Sequence, residues 1–492
     1  MGILKKLASQ TAVYGLSSIF GRFHNYLLVP LYTYYFSAAE YGVVSEFYAY
    51  AGFFSVVLLF GFETGYFRFR DKDQPLRDVT YSTALVFVLL LNAAFFASIT
   101  YFNQPLSAAL NYPHHPEYLL WFSGILTLDA IAAIPFARLR AENKAFRFAA
   151  IKIIEILMTV FLSLFFIVYC PKLYQQNPQS WIATLYQPSI GVGYIFIANL
   201  IASGIKFLLL LPQLRGLSWG FDAKLLWRML SYCAPMVVIG FAGIINEMLD
   251  RALLKHLLPY DSQTNMQQLG IYSACYKLSI LMSLFIQAFR FAAEPFFFAY
   301  ADKHDARPVY AKVLKFFVIF CVGIFLLVTL YLDFFQYFLG REFRVGLQVV
   351  PILLLANLCL GMYVNLSIWY KLTDRTLLGA AVSLFGALLT IALNIWWIPL
   401  FGYLGSAWAT LACYATMVIL SYGLGQIYYP VNYDIKGIFA YISVGLGLYG
   451  LHGFAETIGW QPWLLASALL LVYLLVVLLF EGRGRLRALA KA

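Results

Sequence analysis

Apolar runs of about 20 residues, the length of helix that crosses a hydrocarbon core, recur along this chain from end to end. In lipid the backbone must satisfy its own hydrogen bonds, so runs of this kind fold as helices. About fourteen can be counted: near 10–36, 41–67, 81–102, 117–137, 148–170, 190–212, 229–254, 268–292, 313–332, 346–369, 376–397, 402–424, 437–455 and 462–480. The connections are short and leave no room for a soluble domain. The expected fold class is therefore all-α integral membrane.

Composition agrees. The 492 residues are 62% hydrophobic and 12% charged, about half the charged fraction of an ordinary soluble domain. Aromatic residues make up 18%, and many Tyr and Trp fall near the ends of apolar runs, where amphipathic rings suit the headgroup level. The formal charge of +11 comes from Lys and Arg scattered in short clusters between runs. No single basic face forms, and a nucleic-acid partner is not expected. Cys170, Cys233, Cys275, Cys321, Cys359 and Cys413 are widely spaced in or beside apolar segments and suggest neither a disulfide framework nor a zinc site. Lys5 and Lys6 precede an apolar run that continues to about Tyr35 and contains Arg22. It is too long for a signal peptide, lacks a small-residue cleavage signal, and is read as the first span.

Orientation follows from where the positive charges fall. With the N-terminus in the cytoplasm, roughly 23 Lys and Arg lie in cytoplasmic segments, among them Arg68, Arg70, Arg138, Arg140, Lys303, Arg307, Lys371 and Arg375. About 4 lie outside: Lys172, Lys255, Arg341 and Arg344. The alternation holds throughout, which calls for an even number of spans and a C-terminus that is also cytoplasmic.

A repeat is visible as well. Tyr41-Gly42-Val43-Val44-Ser45-Glu46-Phe47-Tyr48 opens the second span as Leu269-Gly270-Ile271-Tyr272-Ser273-Ala274-Cys275-Tyr276 opens the eighth. Gly191 with Ala198-Asn199-Leu200 matches Gly402 with Ala409-Thr410-Leu411 at the same offset. Two six-span halves in the same orientation are expected, a parallel repeat of the kind that builds two-lobed transporters. The lobes would be 1–215 and 216–430, with spans thirteen and fourteen and a basic tail in 431–492.

Ionisable residues inside spans are costly and mark candidate sites. Arg22 lies about 13 residues, roughly 20 Å, into the first span and shares a helix face with Ser18 and Asn25. It either pairs with a carboxylate for packing or holds an anion. In the eighth span Tyr276, Ser279, Ser283, Gln287, Arg290 and Glu294 fall on one stripe of about 27 Å, facing an aqueous cleft or a polar helix; Arg290 and Glu294 are also spaced to pair. Asn246, Glu247, Asp250 and Arg251 cluster in the outer third of the seventh span. Pairing of Glu247 with Arg251 would leave Asp250 for ion coupling, gating or neutralising Lys277. Asp129, Lys152, Glu155 and Lys206 are further buried charges, with Lys152 and Glu155 read as a structural pair. Glu63 has Arg68 nearby. There is no P-loop, GxSxG elbow or HExxH. His114 and His115 are read as solvated, and the short outward loops argue against a polymerase or ligase.

The stretch Ser18-Ile19-Phe20-Gly21-Arg22-Phe23-His24-Asn25, followed by Leu28-Val29-Pro30-Leu31-Tyr32-Thr33 and Glu40-Tyr41-Gly42, resembles the opening of polysaccharide-transport proteins. These are the lipid-linked oligosaccharide flippase branch of the multidrug/oligosaccharidyl-lipid/polysaccharide (MOP) exporter superfamily. Asn246-Glu247, Asp250-Arg251, Gly270-Ile271-Tyr272, Arg290 with Ala293-Glu294-Pro295-Phe296, and the Thr373…Asn394…Pro399…Gly402…Gly405-Ser406-Ala407 run are similar to that family too. The resemblance covers nearly the whole chain. It implies two six-helix lobes with a cationic cavity between them and, as cargo, an undecaprenyl-pyrophosphate-linked oligosaccharide moved across the bacterial inner membrane for O-antigen, capsule or exopolysaccharide synthesis. Arg22, Asn25, Ser283, Gln287 and Arg290 would contact the pyrophosphate or sugar, with Glu247, Asp250, Arg251 and Glu294 in ion coupling or gating. Spans thirteen and fourteen resemble the lipid II flippase arrangement, where they form a groove for the lipid tail, and lipid II is the alternative cargo. No cofactor is expected; the driving force stays open between H+, Na+ and the membrane potential. Expected partners are membrane lipids and the polysaccharide polymerase and chain-length machinery. Buried arginines disfavour a cationic drug as cargo.

Overall fold

The computed structural model describes residues 26–70, 74–182, 186–214, 220–301, 303–458 and 462–489. They form an all-helical protein with no strand among the described residues. The chain divides into two compact units, Met1–Ala252 and Leu253–Ala492.

The first unit contains α1 (26–35), α2 (Ala38–Leu59), α3 (Phe62–Phe69), α4 (Gln74–Tyr101), α5 (Asn103–Ala109), α6 (Glu117–Ala141), α7 (Ala145–Leu164), α8 (Cys170–Gln176), α9 (Gly193–Leu210) and most of α10 (Ala223–Leu257). Ser37 starts α2 with a capping box: its hydroxyl accepts from the Glu40 N–H, and its own N–H donates to Glu40 Oε2 at 2.9 Å. α2 and α3 form a single candidate span broken in the middle, where Phe60 (φ 48°) and Gly61 (φ 70°) are both left-handed. Such a break frees carbonyls in lipid, and two buried side chains answer them. Asn92 Nδ2 donates to the Leu58 carbonyl at 3.1 Å, and the Cys233 thiol approaches the Gly61 carbonyl at 3.5 Å. Around the break Phe62, Tyr66, Tyr81, Leu85, Ile134, Met229 and Cys233 form an apolar core cluster. Lipid provides little hydrophobic drive between helices, so this packing and the buried hydrogen bonds hold the unit together.

The second unit contains α11 (Ser262–Leu278), α12 (Ile280–Tyr300), α13 (Ala306–Leu330), α14 (Leu332–Phe335), α15 (Val349–Leu366), α16 (Ile368–Leu372), α17 (Thr376–Tyr428), α18 (Ile435–Thr457) and α19 (Pro462–Leu489). At 53 residues, α17 is about 80 Å of helix, far more than one crossing. It bends back at Gly402, whose φ of 61° and ψ of −145° are non-helical, so it holds two spans. Asn394 Oδ1 accepts from the Ser406 hydroxyl at 2.9 Å across that bend, and both side chains are buried. Twelve described helices are long and apolar enough to cross a membrane. With α17 counted twice, the described residues hold thirteen crossings, roughly consistent with the expected fourteen, and the chain is a multi-pass membrane protein; most of the expected first span lies outside the described residues.

α18 and α19 are fastened to α13 at three levels. Lys315 bridges Asp434 at 3.1 Å and Glu481 at 2.6 Å, Tyr473 donates to the buried Ile319 carbonyl at 2.6 Å, and Tyr331 meets Ser467 at 2.7 Å.

Candidate functional site

Charges that have no reason to lie in lipid collect at separate places in each unit. In the first, Lys206 of α9 is 2% exposed and its ammonium lies 2.6 Å from both Asp129 Oδ1 on α6 and Glu155 Oε1 on α7. Glu155 Oε2 reaches Lys152 at 3.0 Å, and the Ser203 hydroxyl donates to Asp129 Oδ1 at 2.6 Å. The order Asp129, Lys206, Glu155, Lys152 alternates in sign and sums to zero, which offsets the cost of burying each charge. The Lys152–Glu155 pair expected at i, i+3 is present. Its continuation through Lys206 to Asp129 was not legible, because the sequence does not say that α6, α7 and α9 pack together.

In the second unit the stripe expected along the eighth span bends at Ser279, where the helix tightens: the Ser279 N–H donates to the Tyr276 carbonyl and the Met282 N–H to the Ser279 carbonyl. Ser283 donates to Asn357 Oδ1 at 3.1 Å, and Asn357 Nδ2 donates to Ser279 Oγ at 3.3 Å and the Leu353 carbonyl at 2.9 Å. Asn357, 2% exposed on α15, thus ties the bend to a neighbouring span. Gln287 is half-buried and Arg290 exposed. Arg290 and Lys371, from different helices, both border a narrow cleft of about 20 Å³ whose other lining includes Phe289, Phe297, Ser367 and Ile368. From sequence alone Lys371 reads only as a cytoplasmic-loop charge.

Two expected pairings are different in the structure. Arg251 does not bond the Glu247 carboxylate among the described residues. Its Nη1 donates to the Glu247 backbone carbonyl at 2.7 Å and to Asp250 Oδ1 at 3.2 Å. The guanidinium folds back along its own helix, where a carbonyl and the adjacent carboxylate are both in reach. Glu63 pairs with Arg140 on α6 instead of Arg68, since α3 packs against α6. Asn246 is buried beside this cluster of Asp250 and Arg251. Arg22, Asn25 and Ser18 lie outside the described residues, as does the side chain of Glu294. All six cysteines are free thiols.

Outside the spans, Asp434 is held below its ordinary value, first by the Gly437 N–H it accepts and then against a burial cost by Lys315. Burial alone would raise Glu142, but hydrogen bonds from Lys144 and Arg138 outweigh it and lower the carboxyl.

Spans broken at Gly61 and Gly402 and buried charged groups within each unit mark a multi-pass helical membrane protein of the architecture transporters use. The chain belongs to the polysaccharide biosynthesis protein family, whose model matches residues 35–345. Among solved structures it is similar to the lipid II flippase MurJ in an inward closed conformation, at 16% identity and a TM-score of 0.69, covering 95% of this chain and 99% of that one. It is also similar to an inward-facing multidrug resistance MATE family transporter of the MOP superfamily (12% identity, TM-score 0.64, 84% and 94% covered). A third is the MATE multidrug transporter DinF-BH (17% identity, TM-score 0.59, 89% and 97% covered). No curated protein matches the chain.

Proposed function

We propose that this protein is a flippase that carries an undecaprenyl-pyrophosphate-linked oligosaccharide from the cytoplasmic to the periplasmic leaflet of a bacterial inner membrane, by alternating access, for O-antigen, capsule or exopolysaccharide assembly. Family membership supports polysaccharide biosynthesis as the setting. The observation behind the headgroup assignment is that Arg290 and Lys371 border one cleft, which at about 20 Å³ must widen to admit a diphosphate. A guanidinium binds phosphate oxygens in pairs and an ammonium adds a point charge, so the two suit a pyrophosphate. By the positive-inside rule this cleft opens near the cytoplasmic side, where the cargo is made.

Arg22 and Asn25 are assigned to the same headgroup from the first span, and Ser283 and Gln287 to the sugar or phosphate beyond it. Asp250 and Arg251, paired in the outer third of the seventh span, are assigned to gating or ion coupling together with Glu247 and Glu294; H+, Na+ and the membrane potential are the candidate drives. Lipid II is a second reading, favoured by the fold shared with a lipid II flippase.

The test is glycan export in cells carrying Arg290→Ala or Lys371→Ala at unchanged membrane levels. Export should fall at least tenfold while complete lipid-linked units accumulate inside. Normal surface glycan in both variants would overturn the headgroup assignment.

A further inference from the structure

A cavity in the second unit is distinct from the cleft beside Arg290 and has a different chemistry. It measures about 630 Å³ and is built by four segments: the α10–α11 connection, α11 at Gln268, the residue before α15 and the bend of α17. That volume lies in the range of small-ligand sites. Trp397, Trp408, Tyr260 and Tyr403 supply aromatic faces, and Gln268 and Gln348 supply amides. No described lining residue carries a formal charge.

The wall is preorganised. Gly402 takes a backbone conformation closed to other residues, and a Cβ on Gly405 would stand 2.3 Å from the Trp397 carbonyl, so the chain doubles back tightly between the two tryptophans. Gln348 Nε2 donates to the Tyr403 hydroxyl at 3.2 Å, which orients one amide against one ring. Trp408 and Tyr260 are about half exposed.

This lining selects a class of ligand. A phosphate or carboxylate would meet no cation, and an acyl chain would strand the amides and phenols without partners. A sugar ring satisfies both sets: its C–H faces stack on indole and phenol rings, and its hydroxyls exchange hydrogen bonds with amides, which both donate and accept. We propose that this cavity is a saccharide-binding site that receives uncharged sugar rings of the cargo on the periplasmic side, to which the charge pattern assigns the α10–α11 and α17 turns. The proposal rests on the reading of the cargo as a lipid-linked glycan. It adds a place where the glycan dwells after leaving the headgroup cleft.

The probe is the oligosaccharide released by mild acid from the host's own lipid-linked units, added to the full-length protein in nanodiscs. Saturation-transfer NMR should show transfer to ring protons. Affinity should fall at least tenfold in Trp408→Ala and Gln348→Ala and be retained in Trp408→Phe, which keeps an aromatic face and controls for folding. In cells, Tyr260→Cys should react with a membrane-impermeant maleimide from outside, and added oligosaccharide should protect it. Absent transfer, equal affinity in wild type and Trp408→Ala, or an unlabelled Tyr260→Cys would make these rings an ordinary interfacial aromatic belt and overturn the proposal. Binding here with normal export in the Arg290 and Lys371 variants would sink the headgroup assignment alone; failed export without binding would sink the cavity alone.

Discussion

Gly191 and Gly402 share one backbone conformation, φ 51° and ψ −124° against φ 61° and ψ −145°. They stand at matching offsets before the sixth and twelfth spans, so the internal repeat extends from residue identity to dihedral angle. L-residues other than glycine are strained in this region by about 1–3 kcal/mol. Gly402→Ala and Gly191→Ala should each lower the thermal midpoint of the purified protein, by similar amounts. A Gly402→Ala protein as stable as the parent would show that the turn relaxes.

Lys206, itself almost fully buried, stands between the carboxylates of Asp129 and Glu155. Removing one partner of such a cluster leaves a buried charge uncompensated, at a cost of about 3–5 kcal/mol. Lys206→Met should therefore cut the folded, detergent-stable fraction sharply, and adding Asp129→Asn with Glu155→Gln should recover much of it. Size-exclusion profiles and thermal unfolding of the single and triple variants check this; equal loss in both would show that the ammonium is needed for more than charge balance.

Asp434 ties α18 to α13 through Lys315 and caps its own helix at Gly437 N. Its folded value is lowered, so the stability it contributes is fully present above the ordinary carboxylate value near 4 and is lost as pH falls through the depressed value. Asp434→Asn should be less stable than the parent at pH 7, with the gap closing toward pH 3. A constant gap across that range would assign the effect to packing instead of charge.

Tyr473 donates to the Ile319 carbonyl at a buried contact midway along the same attachment. Tyr473→Phe removes one hydrogen bond from a carbonyl that keeps its helical N–H and should cost about 0.5–1.5 kcal/mol. The cost should add to that of Lys315→Ala within roughly 0.5 kcal/mol if the two anchors act independently, as thermal unfolding of the double variant would report.

Much of this architecture is legible in the residues. Apolar run length marks the spans, and the repeat singles out Gly191 and Gly402 by offset alone. Local pairs are less legible. Glu63 and Arg251 both have a charge partner at helical spacing or close by, yet Glu63 bonds Arg140 across helices and Arg251 bonds the Glu247 backbone carbonyl and Asp250. Spacing along one helix cannot report which neighbour packs against it. For the same reason Lys371, in sequence a loop cation, joins Arg290 only once α12 and α16 are side by side.

The most direct test of transport is reconstitution. Purified protein in liposomes loaded with the lipid-linked oligosaccharide should bring the glycan to the outer leaflet, read by lectin accessibility, and the Arg290→Ala/Lys371→Ala double variant should slow that appearance at least tenfold. Equal rates in the wild type, the double variant and protein-free liposomes would contradict the account.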